Sequence, residues 1–302
     1  MLKPVTQHIK KAKRLLICPD GPLHFLPFAT LCQSPNTYLI EKLPLSSILS
    51  ATVYSEMKNV EKSSKNRHLP LVAFGDPVYT NVSGKKSAHD PVVRSLSRVF
   101  TFSPLPSTRT EVENLSNLYH QRVKKFLGKR AREEEAKKLS GNIAVVHFAC
   151  HGILDDLFPL NSGLALTINT RLAEGDDNGI LQAWEIFETL RINADLVTLS
   201  ACQTALGTEM GGEGLIGLTR AFQYAGARAV LSTLWSVADE TTAAFMNRFY
   251  SYLKKGRSKA DALRMAQLDF IRSPGAVQKE LKTKKTDVRQ PFYWAGFVLN
   301  GD

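Results

Sequence analysis

Two residues with reactive side chains directly follow apolar stretches that have the composition of buried strands. His151 comes after the run 143–150, and Cys202 comes after the run 196–201. Continuous Val, Ile and Leu runs of this length are typical of strands buried on both faces of a parallel sheet. Since the carboxyl ends of parallel strands line one edge of a sheet, we expect the imidazole and the thiol on the same rim. This arrangement suits a cysteine nucleophile with a histidine partner.

Each residue also has an ordinary structural interpretation. A free cysteine is commonly a small buried hydrophobe, and a core histidine is commonly satisfied by backbone groups. Either interpretation is favoured for one residue alone, whereas the pair at two strand ends favours a dyad. In that dyad Cys202 is the nucleophile, and His151 is the base and later the acid toward the leaving amine. Cys150 is a rival thiol, but strand alternation turns it away from the His151 face, so we assign it to the core.

The elements around these residues alternate along most of the chain. Further strands are predicted at 15–18, 71–74, 229–235 and 292–299, and helices at 132–139, 182–189, 215–224, 239–254 and 258–272. Another helix begins near Ser107 or Thr108, either of which is a candidate N-cap, and Asp239 or Thr241 is the candidate N-cap of the helix at 239–254. Loops are predicted at 81–90, 207–214 and 273–289. This order predicts an α/β sandwich with a mostly parallel sheet.

The overall amino-acid composition limits the classes of protein to which this chain can belong. The chain has 302 residues, of which 43% are hydrophobic and 22% are charged, as in ordinary globular proteins. No stretch approaches the roughly 18 apolar residues of a membrane span, and the apolar run at 15–18 is too short for a signal peptide. The four cysteines contain no CxxC pair, which argues against a disulfide framework and a zinc site. We expect a cytoplasmic protein with reduced thiols, no metal, no cofactor and no membrane partner.

The charge balance is basic. The formal net charge is +11, and basic residues cluster at 10–14, 124–132 and 279–285. Such clusters can attract nucleic acid or acidic proteins. No nucleic-acid-binding module accompanies them, and aromatic and basic residues do not interleave. A solvated surface is the favoured interpretation, with contact to nucleic acid only indirectly, through a partner.

Seven phrases in this chain resemble, in order, those of the CHAT family, whose caspase-like domains often occur with tetratricopeptide repeats. They are PDGPLHFLPF at 19–28, GDP at 75–77, LPSTRTE at 105–111, HFACHG at 147–152, LSACQTA at 199–205, WSVAD at 235–239 and FYWAGF at 292–297. One phrase alone would be weak, but together they cover nearly the whole chain. The family is grouped with caspases, gingipains and separases.

The resemblance implies a fold and an activity. The fold would be a caspase-haemoglobinase-like αβα sandwich, with the CHAT domain over 1–302, an N-terminal lobe at 1–105 and a catalytic lobe at 106–302. The activity would be that of a cysteine endopeptidase that cleaves a specific protein substrate and stays latent until a partner or sensor activates it. The stretch 207–214 would then be the activation loop.

The resemblance also implies a biological setting, which at family level is bacterial defence or programmed death. Many relatives carry a repeat or sensor domain, so the expected partners are the protein substrate and a separate sensor or repeat-containing subunit. The alternative is a catalytically silent CHAT scaffold or protein-interaction module that has kept the fold.

The resemblance extends to residues beside the dyad. The N–H groups of Gly152 and Cys202 would form the oxyanion hole, although Gly152 can also be an ordinary turn glycine. Asp239 matches an acidic residue of the substrate pocket in separases, where it would favour arginine or lysine before the cut. Its alternative role as a helix N-cap stays equally open. Asp155 and Asp156 are lesser candidates for substrate contact.

Overall fold

The computed structural model describes residues 4, 6–34, 37–60, 69–79, 102–120, 122–168, 177–206, 213–283 and 286–301. The strands are β1 Leu15–Ile17, β2 Cys32–Ser34, β3 Thr37–Tyr38, β4 Leu45–Ser47, β5 Leu69–Gly75, β6 Val123–Leu127, β7 Ser140–Asp155, β8 Gly163–Ala165, β9 Ile180–Gln182, β10 Arg191–Leu206, β11 Ala229–Thr233 and β12 Phe297–Gly301. The helices are α1 Thr6–Lys11, α2 Ala51–Val60, α3 Pro106–Leu118, α4 Glu133–Lys137, α5 Ala183–Thr189, α6 Glu213–Tyr224, α7 Asp239–Lys254, α8 Lys259–Arg272 and α9 Pro274–Glu280. Within these ranges no helix is long and apolar enough to cross a membrane.

The chain divides into two compact units. One unit comprises Asn66–Val230, and the other comprises Met1–Lys65 together with Leu231–Asp302. The division at β11 follows compactness alone. The functional lobes expected at 1–105 and 106–302 rest on a different criterion and stay a prediction.

The unit Asn66–Val230 is built on parallel strands in the order β10-β7-β5-β6. Two short strands extend it, because β8 pairs antiparallel with β7 and β9 pairs antiparallel with β8. The two predicted runs at 143–150 and 196–201 form the middle of β7 and β10, which are 16 residues long each. The mostly parallel sheet predicted from these apolar runs is confirmed.

Side chains on the two faces of β7 pack against helices on both sides of the sheet. On one face, the ring of Phe148 lies 5.6 Å from that of Phe222 in α6, and Cys150 is buried in the same cluster. On the other face, His147 Nε2 lies 2.8 Å from Glu111 Oε1 in α3, and both side chains are buried. Successive side chains of a strand point to opposite faces, so this unit is an αβα sandwich, as predicted, with Cys150 in its core.

The second unit has its own parallel strands, since β1 and β12 both pair with β4. Helices α7 and α8 pack together here, and Phe245 of α7 stacks on Phe297 of β12 with ring centroids 3.8 Å apart. A Cβ atom on Gly296 would lie 2.9 Å from the ring of Trp235, whose Nε1 donates to Phe292 O. The phrases at 235–239 and 292–297 therefore meet in this unit, at a partly exposed contact where glycine leaves room for the indole.

Several local predictions differ from the structure at element boundaries. Helix α3 begins at Pro106 with Leu105 at the N-cap, and helix α7 begins at Asp239 with Ala238 at the N-cap. Neither cap position carries a side-chain hydrogen bond. The predicted N-caps at Ser107 or Thr108 and at Asp239 or Thr241 are therefore wrong.

Predicted loops also need correction. The stretch 273–289 contains helix α9, because Pro274 suits the first turn of a helix, where its missing N–H costs nothing. The predicted strand at 292–299 is a short 3-10 helix at Pro291–Tyr293 followed by β12. The predicted loop at 81–90 lies outside the described residues, as do 207–212, whereas Gly214 belongs to α6.

Candidate functional site

The backbones of the two predicted dyad residues are neighbours in the sheet. In the parallel register of β7 and β10, His151 pairs with Cys202 and Gly152 pairs with Gln203. Adjacent strands lie about 4.8 Å apart, so the backbones of His151 and Cys202 are direct neighbours across the two strands. The expectation that both lie together on one sheet is confirmed at the level of the backbone.

The position along the strands differs from the prediction. Both strands continue four residues beyond the dyad, to Asp155 and Leu206, which pair with each other. The strands continue beyond the apolar runs because hydrogen bonds to neighbouring strands, rather than apolar side chains, keep a strand extended. Here β8 supplies a further neighbour, with Ala165 opposite His151.

The imidazole of His151 has a defined tautomer. The residue is 7% exposed, and its Nε2 lies 2.8 Å from the carbonyl oxygen of Ser103. A carbonyl can only accept, so Nε2 carries a proton. In the neutral ring the lone pair is then on Nδ1, which is the nitrogen available to act as a base.

Two aromatic residues enclose this imidazole. The ring centroids of Tyr79 and Phe102 lie 5.1 Å and 5.4 Å from that of His151. The backbone N–H of His151 donates to Tyr79 Oη at 3.2 Å, and Tyr79 Oη donates to Ala165 O at 2.9 Å. Burial raises the pKa of Tyr79 well above its ordinary value, so the phenol keeps the proton that this second bond requires. The imidazole plane is thereby held by packing as well as by hydrogen bonds.

Sequence reasoning did not find Tyr79, Phe102 or Ser103. Their residue types carry no catalytic signal, and they lie 72, 49 and 48 residues before His151 in the chain. The available hint was position, because Tyr79 follows the phrase at 75–77 and the other two precede the phrase at 105–111.

Gly152 lies in the sheet rather than in a turn. It is buried, with Gln203 of β10 opposite it on one side and Leu164 of β8 on the other. The turn interpretation is therefore wrong. Its part in an oxyanion hole stays a prediction.

The two acidic residues after the histidine have hydrogen-bond donors within the protein. Asp155 Oδ1 accepts from the N–H groups of Leu157 and Phe158, which closes a turn at the end of β7. Asp156 Oδ1 accepts from the N–H of Gly214 at 3.0 Å, in the first turn of α6. Their contact with a substrate stays a prediction, while their roles in the loop and at the helix end are clear.

Asp239 belongs to the other compact unit, where it is the first residue of α7. A carboxylate in the first turn of a helix is stabilised by the partial positive charge of the N–H groups there. The substrate-pocket role of Asp239 stays a prediction. Among the residues with a described placement, no group of three or more His, Cys, Asp or Glu side chains could hold a metal ion.

Comparison with known proteins extends over the whole chain. The family model described as CHAT domain matches residues 1–302. Tetratricopeptide repeat protein 28 of Mus musculus is 27% identical over 333 residues, and its Homo sapiens counterpart is 28% identical over 330 residues. Each alignment covers 99% of this chain but 12% of the relative, so the chain spans about an eighth of the length of these relatives.

Two solved structures have a similar fold, and one of them is described as a cysteine proteinase. The Arg-specific cysteine proteinase gingipain R superposes with a TM-score of 0.54 at 8% identity, over 99% of this chain and 66% of that one. The separase–securin complex of Saccharomyces cerevisiae gives a TM-score of 0.52 at 13% identity, over 92% of this chain and 14% of that one. At these identities the likeness concerns the fold alone.

Proposed function

Since the chain belongs to the CHAT domain family, we propose that it is a cysteine endopeptidase that cleaves a specific protein substrate. The observation that carries the proposal is the register that sets Cys202 beside His151, with Nε2 of the imidazole engaged by a backbone carbonyl. A cysteine whose backbone neighbours a histidine of defined tautomer has the strand position that nucleophilic attack on a peptide requires.

The chemistry would follow from this arrangement. His151 Nδ1 accepts the proton of the Cys202 thiol, and the thiolate attacks the carbonyl carbon of the scissile peptide. The N–H groups of Gly152 and Cys202 would stabilise the oxyanion. As the tetrahedral intermediate collapses, His151 returns the proton to the leaving amine, and water activated by the same imidazole then hydrolyses the thioester.

Substrate preference and regulation belong to the same proposal. An acidic pocket residue at Asp239 would favour arginine or lysine before the cut, with Asp155 and Asp156 as further contacts. The relatives are named for tetratricopeptide repeats, which supports a repeat-containing or sensor partner that relieves latency. Among the cysteines that the structure describes, Cys18, Cys32 and Cys150 are not in disulfides, in keeping with a cytoplasmic setting.

The proposal is tested by mapping new protein N-termini by mass spectrometry in cells that express this chain. Wild type and Cys18→Ala, which removes an exposed thiol, should generate the same new termini. Cys202→Ala and His151→Gln should generate none of them, because each removes one half of the dyad. Arginine or lysine before each cut would support the pocket at Asp239, whereas leucine or methionine there would reject it. Termini that persist in Cys202→Ala would overturn the assignment.

A catalytically silent scaffold is the competing proposal, and thiol reactivity separates the two. Cys202 should react with iodoacetamide at neutral pH faster than the exposed Cys18 and Cys32, because the register sets its backbone beside that of His151, the proposed base. A reactive Cys202 without new termini would indicate a latent enzyme that lacks its partner. A Cys202 no faster than the other two would favour the scaffold.

A further inference from the structure

The two chain segments that touch His151 are joined at their far ends. One segment, 76–79, ends at Tyr79, and the other, 102–105, contains Phe102 and Ser103 and leads into α3. At the opposite ends of these segments, Asp76 is bound to Thr108 and Arg109 in the first turn of α3. We call these three residues the Asp76 joint.

The hydroxyl of Thr108 is the buried centre of the joint. Thr108 is 2% exposed, and its Oγ1 accepts from the backbone N–H of Asp76 at 2.8 Å. The same hydroxyl donates to Leu105 O at 2.6 Å. The Thr108 side chain thus connects Asp76, at the start of the segment 76–79, with Leu105, at the end of the segment 102–105.

The backbone around Asp76 is shaped for this contact. Asp76 has φ 51°, in the left-handed region, and its carboxylate forms a hydrogen bond and an ion pair with Arg109. A Cβ on the preceding residue, Gly75, would lie 2.8 Å from Val112 Cγ2 and 2.9 Å from Thr108 O. Glycine there lets α3 approach the end of β5, which explains the GDP phrase at 75–77 physically.

The buried pair of Glu111 and His147 fixes α3 on the same face of the sheet one turn further on. His147 and His151 are four residues apart on β7, so they share that face. Helix α3 is therefore held at two places, by Thr108 against Asp76 and by Glu111 against His147. The carbonyl of Ser103 lies in the segment that directly precedes the helix.

We propose that Thr108 and Asp76 are positioning residues for His151: their joint holds the Ser103 carbonyl and the Tyr79 ring where they keep the imidazole in its Nε2-protonated tautomer. This inference rests on the proposed peptidase function and assigns a role to two phrases, GDP and LPSTRTE, that the dyad leaves unexplained. Thr108 and Asp76 do not touch the reacting atoms; they act through Ser103 and Tyr79.

The test compares three threonine variants. Thr108→Val removes the hydroxyl with little change of shape, and Thr108→Ser restores it. Thr30→Val is the matched control, because Thr30 Oγ1 makes the same local bond, to Pro27 O at 2.8 Å, in the other unit. The seven histidines are labelled with ¹⁵N, and the signals of His151 are identified by their absence from the spectrum of His151→Gln.

The expected result is a change confined to Thr108→Val. Its His151 signals should move from the Nε2-protonated tautomer toward a mixture, and the alkylation rate of Cys202 at pH 7 should fall about tenfold, since small displacements of a catalytic group have large kinetic effects. Thr108→Ser and Thr30→Val should match wild type in both measurements. A Thr108→Val protein that is folded and has the wild-type tautomer would overturn the proposal.

Two outcomes of this experiment require a further variant or measurement. If Thr108→Val does not fold, Asp76→Asn replaces it, because asparagine tolerates the left-handed conformation while losing the carboxylate. It should shift the tautomer in the same direction, and a wild-type spectrum would overturn the proposal. If wild type generates no new termini and its Cys202 reacts no faster than Cys18 and Cys32, the proposed function fails, but the tautomer measurement still decides whether the joint positions His151.

Discussion

At the scale of single residues, the environment of His151 decides which ring nitrogen can act. The sequence predicts a histidine and a cysteine on one sheet edge, but the Ser103 carbonyl at 2.8 Å from Nε2 assigns the proton of the imidazole. Histidine titrates near neutrality, so the hydrogen bond at one nitrogen sets the role of the other. The chemical role of this residue thus depends on a backbone oxygen from a distant part of the chain.

A second residue-scale feature is a half-buried lysine, Lys137, surrounded by three carboxylates. Lys137 Nζ lies 2.6 Å from Glu133, 2.7 Å from Asp177 and 2.7 Å from Glu185. Burial lowers the pKa of Lys137, but the hydrogen bonds to these carboxylates outweigh it and raise the pKa overall, so the amine stays charged. Burial raises the pKa of Glu133 from 4.5 to about 7, and the neighbouring Glu185 and Asp177 add to this effect against the opposing Lys137.

We predict that Glu133 makes folding stability fall as pH rises. Its folded-state pKa lies above its ordinary value, so its stabilising contribution is complete below pH 4.5 and is lost as pH rises to about 7. The difference between 4.5 and about 7 corresponds to about 3 kcal/mol in the free energy of unfolding. Glu133→Gln keeps an acceptor for the N–H of Gly179 and should remove this part of the pH dependence.

Urea unfolding at pH 5 and pH 8 measures this effect. Glu134→Gln is the control on the same helix, because Glu134 forms an exposed ion pair with Arg132 and should leave the pH dependence as in wild type. Equal loss of stability between the two pH values in wild type and Glu133→Gln would contradict the prediction.

At the scale of elements, helix α6 depends on two glycines that let it lie against the loop 155–162. A Cβ on Gly214 would lie 2.7 Å from Ser162 Oγ, and a Cβ on Gly217 would lie 2.7 Å from Pro159 O. The helix that follows the Cys202 strand is thus held to the loop that follows the His151 strand. The sequence favoured a loop over 207–214, because glycine-rich stretches rarely start helices, and only this close packing explains Gly214 within α6.

We predict opposite effects for two glycine-to-alanine changes in helices. Gly217→Ala should lower the free energy of unfolding by about 1 to 2 kcal/mol, because overpacking against the Pro159 backbone outweighs the helical preference of alanine. Gly275→Ala in α9, where a Cβ meets nothing within 4 Å, should raise it by up to about 1 kcal/mol. Urea unfolding of both variants measures the difference, and a gain of stability in Gly217→Ala would show that the loop gives way.

At the scale of the whole molecule, the net charge of +11 could by itself be interpreted as a sign of nucleic-acid binding. Several basic side chains are engaged with acids, such as Arg248 with Glu280 at 2.6 Å and Arg228 with Asp195 at 3.3 Å. Such pairs leave the net charge unchanged, but they occupy guanidinium groups that would otherwise contact the phosphates of a polyanion.

We therefore predict weak, salt-dependent binding to nucleic acid. A random duplex of 20 base pairs should bind with a Kd weaker than about 10 µM at 0.15 M salt, and binding should weaken steeply as salt increases. Fluorescence anisotropy over a salt series measures this. Tight binding that does not change with salt would point to a dedicated nucleic-acid site and would contradict the solvated-surface interpretation.

The sequence by itself determined the fold class, the family and the neighbourhood of the dyad. Apolar runs specify buried parallel strands, because the spacing of side chains along a strand or helix is a local property of the chain. The positions of His151 and Cys202 after such runs were enough to predict that they lie together. The family phrases extended this prediction over nearly the whole chain.

Only the tertiary structure decided which atoms hold the predicted site residues. His151 depends on Ser103, 48 residues earlier, and on Tyr79, 72 residues earlier, and Asp156 binds Gly214, 58 residues later. Local patterns do not encode such pairs, because a buried polar atom takes whichever partner the packing of distant segments brings within reach. For the same reason the N-cap of α3 was mispredicted, since the hydroxyl of Thr108 binds the backbone of Asp76 instead of capping its own helix.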